Sequence, residues 1–137
     1  MISFDLARRL EAAGVIWIPR NGDRFVVPDS DLDDALFLVS DMVVEVQDLS
    51  SGRLLKFNGT TEWALDSIEA ARALWLPRED QLRPMLGQYF VAFTATAGGY
   101  AVVTNHDGHE QRHEDPDPEC AYARAVLAML GQPSAAP

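Results

Sequence analysis

Lysine is almost missing from this chain: of its eleven basic residues ten are arginine, and Lys56 stands alone. A bias of this kind fits a GC-rich genome. It also decides some chemistry, because a phosphate-cradling P-loop requires Gly-Lys-Ser/Thr and Lys56 sits in "LLKFNG" with no glycine before it. A P-loop nucleotide hydrolase is excluded. Cysteine is as scarce. Cys120 is the only one, so no internal disulfide can form, which agrees with a reducing compartment. No apolar run approaches the length that spans a bilayer. The opening stretch "MISFDLARRLEAAG" spreads its charges through an amphipathic period, unlike a signal peptide. The expectation is a cytoplasmic protein with no membrane partner.

Positive charge is the third shortage. Twenty-one acids against eleven bases leave a net charge of −10, and residues 28–48 hold seven acids and no base. Binding to a phosphate backbone relies on Lys and Arg displacing counterions, so direct nucleic-acid binding is not expected. The acidity has three readings: a solvated face, a surface that steers a basic protein partner, or an imitation of a phosphate backbone. Asp29, Asp31, Asp33 and Asp34 are the candidate partner-binding residues.

What is present suits a globular fold. Apolar residues make up 47% of the 137, too many for a disordered chain and enough to bury a core without staples. We expect a single α+β domain over 1–131 and a frayed, flexible tail over 132–137. "SFDLARRLEAAG" (3–14) predicts a helix capped by Ser3, with Leu6, Leu10 and Ala13 on one face and Gly14 as its stop. "VIWI" predicts an apolar strand. Asn21-Gly22 then predicts a type I′ hairpin pairing Arg20 with Asp23, Ile18 with Phe25 and Trp17 with Val26, Arg20 forming an exposed cross-strand ion pair. "ALFLVS", "MVVEVQDL" and "RLLKF" read as further strands of a meander. "TTEWALDSIEAAR" admits two readings, a helix or a loop with a short strand, and the helix is the stronger.

"ALWLPR" predicts a strand and "EDQLRPMLG" a short central helix limited by Pro84. "QYFVAFTATAGGYAVVTN" predicts a hairpin around Gly98-Gly99. Asp117-Pro118 opens a final helix that Gly131 ends and that packs on the sheet. The fold class is therefore α+β, an antiparallel meander sheet with an N-terminal, a short central and a C-terminal helix.

Candidate chemistry gathers in "HDGHEQRHEDPDPEC", whose His-x2-His-x3-His-x6-Cys spacing resembles a zinc site. Asp107-Gly108 is a hairpin turn, however, which makes His106 and His109 a cross-strand pair with Cβ atoms ~5 Å apart. His113 then lies ~13 Å further along the strand. Only His106 and His109 remain as metal candidates. Cys120, in the first turn of the final helix, reads first as a buried small apolar residue; the alternative is a Cys120–His113 nucleophile pair, since a cysteine at a helix start has its pKa lowered. "PDSDLDD" alternates Asp as calcium loops do, but the positions that need Gly and Glu hold Asp34 and Ser40. No Gly-x-Ser-x-Gly elbow is present, no acid pair stands out as a general acid and base, and no cofactor is expected.

"LEAAGVIWIPR" (10–20) returns as "IEAARALWLPR" (68–78), yet a hairpin follows the first copy and a helix the second. The echo reads as one helix-to-strand joint used twice, with Trp17 and Trp75 as core residues. Whether the two segments lie side by side is left to the structure.

In "WLPREDQLRPMLG", the Gly hairpin after it and the "DPECAYARAVLAML" helix, the chain resembles a group of small phage, prophage and bacterial proteins. They share a Trp-Leu/Ile-Pro-Arg-x-Asp-Gln-Leu block and an Ala-rich closing helix. "DRFVVPDSDLDDALFLVSDMVVEV" and "FNGTTEWALDS" are similar to short actinobacterial proteins, some labelled as pilus-assembly proteins. That label does not transfer, because the ATPase it is borrowed from needs a nucleotide loop absent here. The resemblance implies a mobile-element origin and no particular activity.

Three functional expectations follow: a small non-enzymatic binding or accessory protein with an unidentified protein partner, an acidic nucleic-acid mimic that inhibits a nuclease or DNA-binding protein, and a metal-dependent enzyme at the His106/His109 hairpin.

Overall fold

The computed structural model of the chain describes residues 1–28, 36–38, 43–49, 52–58, 67–69 and 73–131. The fold is α+β, and the chain divides into two compact units, Trp17–Leu76 and a second made of Met1–Ile16 with Pro77–Pro137. Among the described residues, no helix is long and apolar enough to cross a membrane.

The discontinuous unit opens with α1 (Phe4–Ala12), and the Ser3 hydroxyl accepts the Leu6 amide at 3.2 Å as its N-cap. Gly14, at φ +100°, closes the helix. Its amide donates to the Glu11 carbonyl and the Val15 amide to that of Leu10, the Schellman pattern that satisfies the last carbonyls. The buried face is Leu6, Ala7 and Leu10. Ala13, expected on that face, is exposed at the C-cap.

Helix α2 (Glu79–Leu86) begins at Arg78, whose amide donates to the Gln81 side chain at 3.0 Å. Its first amide, on Glu79, donates to the Glu119 carboxylate of the last helix at 2.9 Å. An acid at a helix N-terminus is favourable because unpaired amides concentrate positive charge there. A 3₁₀ turn (Gly87–Tyr89) leads into β7 (Phe90–Thr96), which pairs with β8 (Gly99–His106), and β8 pairs with β9 (His109–Asp115). All pairings are antiparallel, and a bulge between Phe90 and Ala92 leaves Val91 as the extra residue.

Helix α3 (Pro118–Gly131) packs on β8 and β9 and against α1 and α2. It is apolar nearly all round, as a helix enclosed by neighbours must be. Cys120, Ala121, Tyr122, Ala123, Ala125 and Val126 are buried. Arg124 faces out and its Nε donates to Asp115 at 2.9 Å. Asp117 caps the helix, its Oδ1 accepting the amides of Glu119 (2.8 Å) and Cys120 (3.1 Å), while Oδ2 accepts from the Met1 ammonium at 2.6 Å.

The continuous unit holds two three-stranded antiparallel sheets. One has the order β2 (Phe37–Leu38), β1 (Arg24–Val26), β6 (Leu74–Trp75). The other is the meander β3 (Val43–Leu49), β4 (Gly52–Asn58), β5 (Ser67–Glu69). The β3–β4 register sets Glu45 opposite Lys56 and Asp48 opposite Arg53.

Two expectations are corrected here. Residues 67–69 form strand rather than helix, and the rest of the stretch 60–72 lies outside the described residues. Residues 15–20 form no strand, and the hairpin expected at Asn21-Gly22 is absent. The turn does form, with the Asp23 amide donating to the Arg20 carbonyl at 3.1 Å, but only Gly22 has a positive φ. That is the type II pattern, whose twist splays flanking strands. Pro19 also lacks an amide for a ladder. Both sides of β1 are taken instead, Phe25 lying between Phe37 and Trp75.

Candidate functional site

In the continuous unit the chemistry centres on the strand-less stretch 17–20. Chain alternation turns Trp17 inward and leaves Ile18 64% exposed. Trp17 packs on Phe25 with ring centroids 5.4 Å apart and on Trp75 at 6.4 Å with planes 10° from parallel. The two Trp of the repeated "W-I/L-P-R" segments are therefore neighbours.

Asp23, only 2% exposed, lies beneath this cluster. One of its oxygens, Oδ2, accepts the Trp17 indole N–H and the Arg20 amide, both at 2.9 Å. The surface ion pair expected between Arg20 and Asp23 is replaced by this buried arrangement, in which Arg20 contributes its backbone. A buried carboxylate must collect donors, and here it collects them from the turn that it closes.

Large aliphatic side chains of the same elements are exposed. Leu36 and Leu38, on either side of Phe37, are 48% and 49% exposed. The register places Phe37 opposite Phe25 and Leu38 opposite Arg24. No sequence signal singled out Ile18, because "VIWI" reads as a fully apolar strand with no polar residue to mark its outward face.

The histidine hairpin lies in the discontinuous unit and matches its expected register: His106 opposite His109 across a turn in which Asp107 (φ 52°) and Gly108 (φ 84°) both have positive φ, the type I′ pattern. His106 packs on Tyr89 at 4.8 Å, and its Nε2 is 3.4 Å from an Asp107 carboxylate oxygen. Its Nδ1 is buried without a hydrogen-bond partner among the described residues, while His109 is exposed. His113 sits apart, opposite Val102, with its Nε2 3.4 Å from the Thr104 hydroxyl. Burial lowers the His113 pKa, which favours the neutral imidazole. Among the described residues, no three or more His, Cys, Asp or Glu side chains converge as a metal site would require.

Cys120 is buried, as expected of a small apolar residue, and does not become the reactive thiol that a helix start could make. Burial pushes its pKa up, the Asp117 and Asp115 carboxylates add to that, and hydrogen bonding with Ser3 offsets only part. The thiol therefore stays protonated, the opposite of what a nucleophile needs. An open cleft of about 430 Å³ at the β7–β8 turn is lined by Thr96, Ala97, Gly98, Glu114, Asp115 and Pro116. Its two carboxylates are already engaged, Glu114 with Arg112 at 3.0 Å and Asp115 with Arg124 and the Asp117 amide. The candidate residues Asp29, Asp31, Asp33 and Asp34, and the tail 132–137, lie outside the described residues.

Comparison with protein-family models, curated proteins and solved structures gave no match.

Proposed function

We propose that the chain is a small non-enzymatic cytoplasmic binding protein that acts through protein–protein contacts made by the Trp17–Leu76 unit. The observation that carries this reading is the exposure of Ile18, Leu36 and Leu38 in the unit where Trp17 is hydrogen-bonded to Asp23 and stacked on Trp75. Large aliphatic side chains exposed to water are suited to anchoring a partner, because covering them removes apolar surface from water. The net charge of −10 favours a partner that adds basic residues around an apolar centre.

The test is quantitative affinity capture from the native host, with wild type compared against Ile18→Glu/Leu38→Glu. A basic protein held by wild type and lost with the double variant is the expected result. It should still be held by His106→Ala/His109→Ala, which separates this reading from a metal-dependent one. An identical set of captured proteins with wild type and the Glu variant would sink the reading.

A further inference from the structure

The two edges of the β7-β8-β9 sheet are treated oppositely. Edge strand β9, "HEQRHED", carries an ionisable group at every position but Gln111. Charges of this density are how a sheet edge is protected from pairing with another strand. Edge strand β7, "FVAFTAT", has no charged residue, and neither does β8 apart from the ionisable His106 at its end. Among the described residues β7 pairs only with β8, and Val91, Thr94 and Ala95 are exposed. The bulge at Val91 confines its regular edge to residues 92–96.

We propose that this edge is a self-association surface, on which β7 pairs antiparallel with β7 of a second copy about a two-fold axis near Thr94. The reading is independent of the binding function proposed above. An unpaired edge offers backbone amides and carbonyls to another strand, and the side chains here decide which strand fits. With the axis at Thr94, Thr94 meets its own copy, Ala92 meets Thr96 and Phe93 meets Ala95. A Thr–Thr pair, Ala–Thr pairs and Phe–Ala pairs oppose one another with no charge between them. Such a contact is self-complementary and closes at two copies, giving one six-stranded sheet.

Electrostatics singles out this edge for a chain of net charge −10. In the paired sheet the charged β9 strands are five strand spacings apart, about 24 Å. That is well beyond the Debye length of about 8 Å at physiological salt, so their repulsion is screened. Pairing through β9 would instead set like charges against each other. Arg83, which stacks on the Phe90 ring at 4.3 Å, belongs to the bulged start of β7 and lies outside the 92–96 register.

Sedimentation velocity of the full chain across a concentration series tests the proposal. Wild type should show a dimer that Thr94→Lys reduces to half its mass and Thr94→Val preserves. Ile18→Glu should leave the dimer intact, which separates this surface from the partner-binding one. Amide hydrogen exchange of wild type provides a reading that needs no variant: protection of residues 92–96 should rise with protein concentration. A wild-type chain that stays monomeric throughout overturns the proposal, as does a dimer that Thr94→Lys, folded by circular dichroism, leaves unchanged.

Discussion

Trp17 and Trp75 lie face to face, 6.4 Å between ring centroids and 10° from parallel, although fifty-seven residues separate them in the chain. The arrangement is asymmetric in its polar ends. The Trp17 indole N–H is bonded to Asp23, whereas the Trp75 indole N–H is buried with no partner among the described residues. The repeated segments thus place two aromatic faces together, but only one carries the hydrogen bond that fixes its orientation.

Asp23 should therefore be the most sensitive polar position of the Trp17–Leu76 unit. Asp23→Ala strands two donors, the Trp17 indole and the Arg20 amide, each of which costs roughly 1–3 kcal/mol when left unmade. A loss on the order of 3 kcal/mol is expected in urea unfolding, with Asp23→Asn losing less because its amide oxygen still accepts. The exciton signal of the Trp pair in circular dichroism should weaken in Asp23→Ala and vanish in Trp75→Phe. An unchanged midpoint and spectrum for Asp23→Ala would show that the carboxylate does not organise this cluster.

Gly99 is where the other unit tolerates no side chain. A Cβ there would meet the Asp115 carbonyl oxygen and the Pro116 Cα, each at 2.5 Å, and both are backbone atoms that cannot swing away. Its φ of +150° adds strain for any other residue. Gly99→Ala should cost about 2 kcal/mol or more through overpacking. Gly98→Ala, where a Cβ meets nothing within 4 Å, is the control and should be close to neutral. Thermal melts of the pair check this, and equal Tm values would contradict it.

Two Xaa-Gly dipeptides show how far the sequence could be read. Asp107-Gly108 gave a hairpin in the expected register and Asn21-Gly22 did not, although both carry the same turn chemistry. The difference is tertiary. Pro19 precedes the second turn, and β1 finds its partners in β2 and β6, the latter about fifty residues further along the chain. Such non-local pairing leaves no mark in a local pattern. Helices α1, α2 and α3 were legible because caps and stops act within a few residues: Ser3 and Gly14, Asp117 and Pro118. The buried role of Asp23 was not legible, since an acid beside an Asn-Gly turn reads as solvated. Cys120 is buried, as a small apolar residue is, and the reactive alternative fails because burial and the Asp117 and Asp115 charges outweigh the helix start.

Tyr122 carries a different liability. It is fully buried between Phe90 and Phe93, with ring centroids at 6.2 and 5.1 Å, yet its hydroxyl has no hydrogen-bond partner among the described residues. Burial raises its pKa, partly offset by the nearby Arg83 guanidinium and reinforced by Glu79. Removing an unsatisfied buried hydroxyl relieves a desolvation cost, so Tyr122→Phe should be neutral or stabilising by up to about 1 kcal/mol. Tyr122→Ala should cost about 3–5 kcal/mol through the cavity it leaves. A clear loss of stability in Tyr122→Phe would mean that the hydroxyl has a partner, such as an ordered water.

Asp117 links stability to pH. Burial acts to raise its pKa, but the hydrogen bond and charge of the Met1 ammonium and the amides of Cys120 and Glu119 together outweigh it, and the carboxyl lies below its ordinary value of 3.8. A carboxyl depressed in the native state binds its proton less readily there than in the unfolded chain. It therefore contributes stability that is fully present above the ordinary value and is lost as the pH falls through the native one. Asp117→Ala should cost about 1 kcal/mol at neutral pH, the usual worth of a helix N-cap. The gap in Tm between wild type and Asp117→Ala should hold from neutrality down to about pH 4, the ordinary carboxyl range. Below that it should narrow as the wild-type carboxyl takes up its proton and loses its pull on the ammonium. A gap that already closes between pH 7 and 5 would mean that another group, with a higher pKa, controls the α3 start.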